Sequence, residues 1–214
     1  MSGPAGFDVA LRHAGAGHRI VMTLHDERGG EHQLDPAAWC GDDITGDASV
    51  LARCGGPTLD VGCGPGRLVA ALTRQGMPAL GIDISAVAVH LARQRGAPAV
   101  RRDVYAPVPG HGRWRRLLLA DGNIGIGGDP HRLLRRCRGL IALDGQVLVE
   151  VTAPGTRSWS GPVTIRPATG APGTPFRWAS VALPDLAALA TATALRILET
   201  WTEADRWFAS MGPA

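Results

Sequence analysis

Residues 59–68 read Leu-Asp-Val-Gly-Cys-Gly-Pro-Gly-Arg-Leu, and their types and spacing point to a ligand held against bare backbone. An apolar run ending at Val61 passes into Gly62, Cys63, Gly64 and Gly66 and then into a helical pattern. That is the strand, tight turn and helix start by which backbone approaches a bound molecule. Gly66 follows Gly64 by two residues, whereas the dinucleotide fingerprint needs three. Asp60 heads the turn, and a carboxylate there disfavours a pyrophosphate and suits a cationic group. Amide N–H groups at the helix start suit a carboxylate. Asp83 lies twenty-three positions after Asp60, at the end of the next apolar run, where an acidic side chain accepts hydrogen bonds from both hydroxyls of a ribose.

With these residues the segment resembles motif I of the class I S-adenosylmethionine-dependent methyltransferases, whose cofactor carries a sulfonium and an amino-acid ammonium. The resemblance spans roughly residues 57–208, and residues 118–130 are similar to compact actinobacterial-type small-molecule methyltransferases. It implies S-adenosylmethionine as cofactor, over the turn formed by Gly62, Cys63, Gly64 and Gly66, with Asp60 near the methionine amino group. It also implies Asp83 on the ribose, Ile84 over one adenine face, Asp103 at the adenine amino group and Val104 beside it. Asp121 would stand where methionine and methyl acceptor meet. The bland alternative for each acid is a solvated or helix-capping carboxylate.

Methyl transfer from a sulfonium disperses charge as the acceptor attacks in line, so alignment and desolvation supply much of the catalysis. A base is needed only for an acceptor that arrives protonated. His131 and His111 are the titrating candidates, and Tyr105, the sole tyrosine, is a candidate to orient the acceptor. Their structural alternatives are a solvent-facing first-turn histidine, a polar loop histidine and ordinary packing. Asn123, Trp39 and Trp159 are candidates for acceptor contact. Residues 120–124, Ala-Asp-Gly-Asn-Ile, lack the paired prolines and aromatic that similar enzymes place there for planar amines, which argues against a nucleic-acid acceptor. Arg101, Arg102, Arg113, Arg115 and Arg116 form a basic stretch with no defined nucleic-acid module, and they equally serve solubility. The seven histidines are dispersed, without a His-Glu-x-x-His pattern, so no metal is expected. The leading expectation is methyl transfer to oxygen or nitrogen of a small molecule such as a specialised metabolite. The alternatives are RNA or protein methylation and a non-catalytic cofactor-binding interaction protein.

Positioning these residues requires alternating strands and helices after residue 57. Strands are expected at 58–61, 79–84, 97–101, 117–120, 146–151 and 177–183, with a last apolar run at 195–201 before Trp207 and Phe208. Ser85 and Asp129 are N-cap candidates, the latter followed by Pro130. The glycine- and proline-rich stretch 152–175 reads as a ligand-covering loop. The resemblance implies a Rossmann-like α/β fold, a seven-stranded, mostly parallel sheet with one antiparallel strand and helices on both faces. Residues 57–214 would form the cofactor-binding domain. Residues 1–56 would form an amino-terminal cap, with short helices starting near Asp42 or Thr45 and a polar, turn-like stretch over 25–36.

Composition fits one domain. The chain has 214 residues, 45% of them hydrophobic, and a net charge of +3, enough for a buried core. Glycine at 29 residues and proline at 16 imply many turns. Cysteines 40, 54, 63 and 137 form no Cys-x-x-Cys pair, and the amino terminus lacks a signal peptide's apolar run, so a reduced, cytoplasmic setting with no membrane is expected. The oligomeric state is left open.

Overall fold

A computed structural model describes residues 5–18, 21–26, 29–167 and 173–214. The main sheet has seven strands in the order β10-β11-β7-β6-β3-β4-β5. Strand β3 (Thr58–Val61) is flanked in parallel by β4 (Ala79–Asp83) and by the central strand β6 (Trp114–Leu119). Beyond β4 lies β5 (Ala99–Arg101), and beyond β6 lies β7 (Ile141–Val151), both parallel. The hairpin β10 (Leu195–Glu203) and β11 (Arg206–Pro213) closes the sheet, with β11 running antiparallel between β7 and β10. The chain thus leaves β3 toward β5 and returns on its other side as β6. A reversal of this kind opens a crevice at the carboxyl ends of the two strands.

Alternation along the strands sends side chains into cores on both faces. Leu117, Leu119, Val147 and Val149 pack with Leu133, Leu134, Cys137 and Leu140 of α6 (Pro130–Leu140) and with Leu186 and Leu189 of α7 (Leu186–Thr191). Leu118 and Leu148 face the opposite way, against Leu68 and Leu72 of α4 (Arg67–Arg74) and Val50 of α3 (Asp47–Leu51). A strand buried on both faces needs a continuous apolar run rather than alternation, which is what residues 147–149 provide. The expected caps are present. Ser85 Oγ accepts from Ala88 N at the start of α5 (Ala86–Gln94), and Asp129 Oδ1 accepts from Arg132 N ahead of Pro130.

The expectations for 177–183, 25–36 and 152–175 require correction. β9 (Phe176–Ser180) does not join the main sheet, and the sixth and seventh strands of that sheet are β10 and β11. Instead β9 belongs to a four-stranded antiparallel sheet ordered β2-β1-β8-β9. Its members β1 (Met22–Asp26) and β2 (Glu31–Leu34) lie in the stretch expected to be turn-like, and β8 (Trp159–Pro167) lies in the expected loop. Residues 168–172 of that loop lie outside the described residues. The short helix carrying Val50 and Leu51 starts after Gly46 rather than at Asp42 or Thr45. Two more helices, α1 (Ala5–Gly15) and α2 (Pro36–Cys40), complete the amino-terminal part. Because β1 pairs with β8, the cap over residues 1–56 is completed by chain from within 57–214. Among the described residues no helix is long and apolar enough to cross a membrane.

Candidate active site

The turn after β3 is shaped by what surrounds each glycine. A Cβ on Gly62 would come within 2.8 Å of the Asn123 amide, and one on Gly66 within 2.7 Å of the Ala92 side chain. Gly66 therefore lets α4 seat closely against α5, and its φ of +80° lies in the left-handed region where a side chain is strained. Gly64, at φ +52°, is different, since a Cβ there meets nothing within 4 Å. Its missing side chain leaves open cavity, the cradle a ligand lying on backbone needs. The Cys63 thiol turns away from that space, and a side chain on Gly81 of β4 would collide with it.

Four carboxylates ring the turn. Asp83 at the end of β4 accepts from Gly64 N at 3.0 Å and from Ser85 N at 2.8 Å, one bond per oxygen. Each oxygen keeps a lone pair for a further donor. Burial holds its pKa above the usual carboxylate value, and those two N–H bonds pull it back. Asp60 is only 3% exposed and lines the cavity. Burial first, then the nearby Asp121 and Asp83 charges, push its pKa up to about 8. Asp103 accepts from Tyr105 N at 2.9 Å, and Ile84 and Val104 line the same end of the cavity.

Asp121 follows β6 with a left-handed φ of +52° and joins a buried ion cluster. Its carboxylate meets Arg67 Nη2 at 2.6 Å and Arg206 Nη2 at 3.1 Å, and its own N–H donates to Glu150 Oε2 at 2.6 Å. Asp47 pairs with both arginines, and Glu150 pairs with Arg206 at 2.9 Å. The cluster fastens α3, α4, β7, β11 and the loop after β6 beneath the cavity floor. Burial raises the Asp121 pKa, against the pull of Arg67.

The four-stranded sheet, with α1 and α2, forms a lid over this floor. Together they enclose a cavity of about 580 Å³, within the usual range for small-ligand sites. Trp39 is stacked on Phe7 with ring centroids 5.5 Å apart, Trp159 is stacked on His32 at 5.3 Å, and all four residues line the cavity. The lid is fastened to the cofactor side by Ser85 Oγ, which donates to Asp8 of α1 at 2.5 Å, and by Arg95, which donates to the Gly41 carbonyl at 2.6 Å. Gly125 and Gly128 admit β9 closely, because a side chain on either would collide with residues 177–179.

The structure separates the sequence candidates. Tyr105 lines the cavity, with Arg132 stacked 4.1 Å over its ring and its hydroxyl buried without a hydrogen-bond partner among the described residues. His131 is exposed in the first turn of α6 and lies outside the cavity wall. His111 precedes β6, at the amino end of the parallel strands and so at the edge opposite the glycine turn. Neither histidine is placed to reach a ligand on that turn. Asn123 lines the cavity, but its amide nitrogen donates to the Val61 and Gly62 carbonyls at 3.0 Å each, which gives it the task of fixing the turn. Of the basic stretch, Arg115 pairs with Asp144 at 2.9 Å and Arg116 donates to the Arg53 carbonyl at 2.8 Å, both away from the cavity. All four cysteines are free thiols, and among the described residues no group of three or more His, Cys, Asp or Glu is placed to hold a metal ion.

Sequence reasoning missed Arg67, Asp47, Glu150 and Arg206, whose association has no local spacing to announce it. It also missed the lid residues Leu24, His32, Leu34 and Phe176. One signal for part of the lid was legible, the Gly29-Gly30 pair between two short alternating runs, which is a hairpin pattern.

A methyltransferase-domain family matches residues 58–108, from β3 through the loop after β5. The ubiquinone biosynthesis O-methyltransferase of Yersinia enterocolitica is 27% identical over 120 residues, 51% of this chain and 50% of that protein. The chain thus matches about half the length of that curated relative. Among solved structures, a methyltransferase from Bacteroides fragilis bound to S-adenosyl-L-homocysteine superposes with a TM-score of 0.81 at 20% identity, covering 97% of this chain and 94% of that one. The 1,6-didemethyltoxoflavin-N1-methyltransferase of Burkholderia thailandensis superposes with a TM-score of 0.57 at 18% identity, over 78% of this chain and 76% of that one. The fold is thus that of these solved methyltransferases, and the methyltransferase-domain match falls on the stretch that holds the glycine turn, Asp83 and Asp103.

Proposed function

We propose that this chain transfers the methyl group of S-adenosylmethionine to an oxygen or nitrogen of a small molecule enclosed beneath the lid. The observation that carries the reading is a single cavity bounded by the glycine turn and Asp83 on one side and by Trp39, Trp159 and Trp178 on the other. An enclosed, ring-lined space suits a compact acceptor better than a polymer. The floor fits the cofactor, since the open side of Gly64 is a cradle that a side chain would fill and Asp83 retains acceptor capacity. S-adenosylmethionine, when bound, supplies a methyl group on a positively charged sulfur.

The residues of this chain have four tasks in that reading. The Gly62–Gly66 backbone bears the ligand, Asp83 takes its ribose hydroxyls, and Ile84, Asp103 and Val104 enclose its base. Asp121 provides negative charge near an ammonium, and Asp60, whose pKa burial pushes up to about 8, takes a hydrogen bond from it. Asn123 keeps the turn in register with β6 through its two carbonyl bonds. The lid excludes water, which strengthens every electrostatic contact inside. Calorimetry with S-adenosylmethionine, S-adenosylhomocysteine and NAD tests the cofactor assignment, and preferential NAD binding would refute it. An acceptor screen read by mass, for a product heavier by one CH2 group, tests the transfer.

A further inference from the structure

Most ionisable side chains in the cavity wall already have partners. Asp83 and Asp103 accept backbone N–H bonds, and Asp121 and Glu150 are paired with Arg67 and Arg206. Among the described residues, His32 of β2 is the one imidazole that lines the cavity, with its side chain 46% exposed. Its ring lies nearly parallel to Trp159, at an interplanar angle of 21°. Its Nε2 is 4.0 Å from Asp26 Oδ2.

Asp26 is placed by the β1–β2 hairpin. Its Oδ1 accepts from Gly30 N at 2.8 Å, its own N–H donates to the Gly30 carbonyl at 3.0 Å, and a side chain on Gly30 would occupy the space of its carboxylate. Glu31, the neighbouring charge on the strand, projects to the other face by strand alternation and meets His25 Nδ1 at 3.3 Å. From β8 the imidazole meets the Trp159 ring. Of the other charged residues that line the cavity, Asp60, Arg67, Asp121 and Glu150 belong to the floor opposite, Arg102 to the loop after β5 and Arg177 to β9 of the lid.

We infer that His32, positioned by Asp26, is the general base for a planar aromatic acceptor that carries a phenol-type hydroxyl, lodged against the ring wall of the lid. This rests on the methyl-transfer reading above. The flat faces of Trp39, Trp159 and Trp178 set the acceptor class, because stacked rings favour planar aromatic partners. The hydroxyl proton passes to the free imidazole nitrogen as the oxygen lone pair forms a bond to the methyl carbon. The carbon–sulfur bond breaks with its electron pair to sulfur. The products are an aryl methyl ether, a neutral thioether and an imidazolium facing Asp26, which returns its proton to water.

The test uses 4-nitrophenol, whose phenolate and phenol forms differ in colour, added to protein saturated with S-adenosylhomocysteine. Binding is followed separately by tryptophan fluorescence, and circular dichroism checks that the variants fold. In the wild type, bound nitrophenol should ionise at lower pH than it does in solution. His32→Gln should still bind S-adenosylhomocysteine and nitrophenol, but its phenolate-to-phenol ratio at fixed pH should fall about tenfold, one pH unit of apparent ionisation. Asp26→Asn should fall between the two. A wild-type ratio in His32→Gln, or a wild-type protein that binds S-adenosylhomocysteine but no nitrophenol, overturns the assignment while leaving the methyl-transfer reading intact. Failure to bind S-adenosylhomocysteine would remove both.

Discussion

The floor of the cavity holds its side chains by buried charge, whereas the lid holds its side chains by stacked rings. On the floor, Asp121, Arg67, Arg206, Asp47 and Glu150 fix one another from distant parts of the chain, and Asn123 ties the loop after β6 to the glycine turn. In the lid, Trp39 lies on Phe7 and Trp159 on His32. Charge pairs in a dry site demand one geometry, because a displaced partner leaves a desolvated ion. Stacked rings slide at small energetic cost. The pairing of a rigid floor with an adaptable lid suits a protein that binds one cofactor and selects an acceptor by shape.

The sharpest way to break this contrast is at the ion cluster. Arg67→Leu leaves Asp47 and Asp121 to share the guanidinium of Arg206 with Glu150, at a site where Arg67 is 4% exposed. Urea unfolding should show a loss of about 3–5 kcal/mol. A loss under about 1 kcal/mol, the scale of exposed pairs, would mean that the cluster is not what makes the floor rigid.

Asp60 gives the floor a pH signature of a few kcal/mol. Its folded pKa of about 8 lies above an ordinary value of about 3.9, so the protonated form is the one that folding favours. Its contribution is full below about pH 4 and is lost as pH rises through about 8. Asp60→Asn should remove that slope, so the wild type should lose stability relative to the variant between about pH 5 and 8, by roughly 1.4 kcal/mol per pH unit at most. A difference that stays flat with pH would show Asp60 ionised throughout.

The glycines separate packing from binding. Gly66→Ala, which drives a methyl into Ala92 and Ala97, should cost about 1–3 kcal/mol in unfolding experiments. Gly64→Ala meets open space, so its larger effect should be on S-adenosylhomocysteine affinity measured by calorimetry. Equal stability losses at the two positions would contradict the cradle. Asp83→Ala should weaken the same affinity by about 1–3 kcal/mol through lost charge-assisted bonds, and an unchanged dissociation constant in a folded variant would remove it from the cofactor site.

The smallest effect on the floor is expected from the lid. Trp159→Ala should change cofactor affinity by less than about 0.5 kcal/mol, the usual size for a site without shared partners, while acceptor kinetics at saturating cofactor should change markedly. Parallel loss of both would show that lid and floor act as one unit.

The parts of the molecule that could be read in the sequence are those specified by neighbours in sequence. Gly66 before a helical pattern, Ser85 as a cap and Asp129-Pro130 at the start of α6 are local signals, and each marks the element seen in the structure. Residues 177–183 read as a strand of the main sheet because burial and β propensity are shared by every strand. Which sheet a strand joins depends on distant edges, and only the pairing of β8 with both β1 and β9 settles it. The ion cluster was illegible for a related reason, since Asp47, Arg67, Asp121, Glu150 and Arg206 come from five separate places in the chain. The histidines nearest the sequence motifs, His111 and His131, fall outside the cavity, while His32 reaches it through a hairpin placed by the same long-range pairing.

The pairing of Asp26 with Val163 and of Met22 with Pro167 also has a consequence in time. A ribosome delivers β1 and β2 well before β8, so the hairpin must wait with one edge unsatisfied while the whole of β3 to β7 is made. Contacts this distant in sequence form late, because the intervening loop must first be closed. The roof therefore cannot assemble until β8 has been made. Until it does, the newborn chain carries a strand edge open to foreign partners, and a slowed translation between residues 34 and 159 would lengthen that exposure.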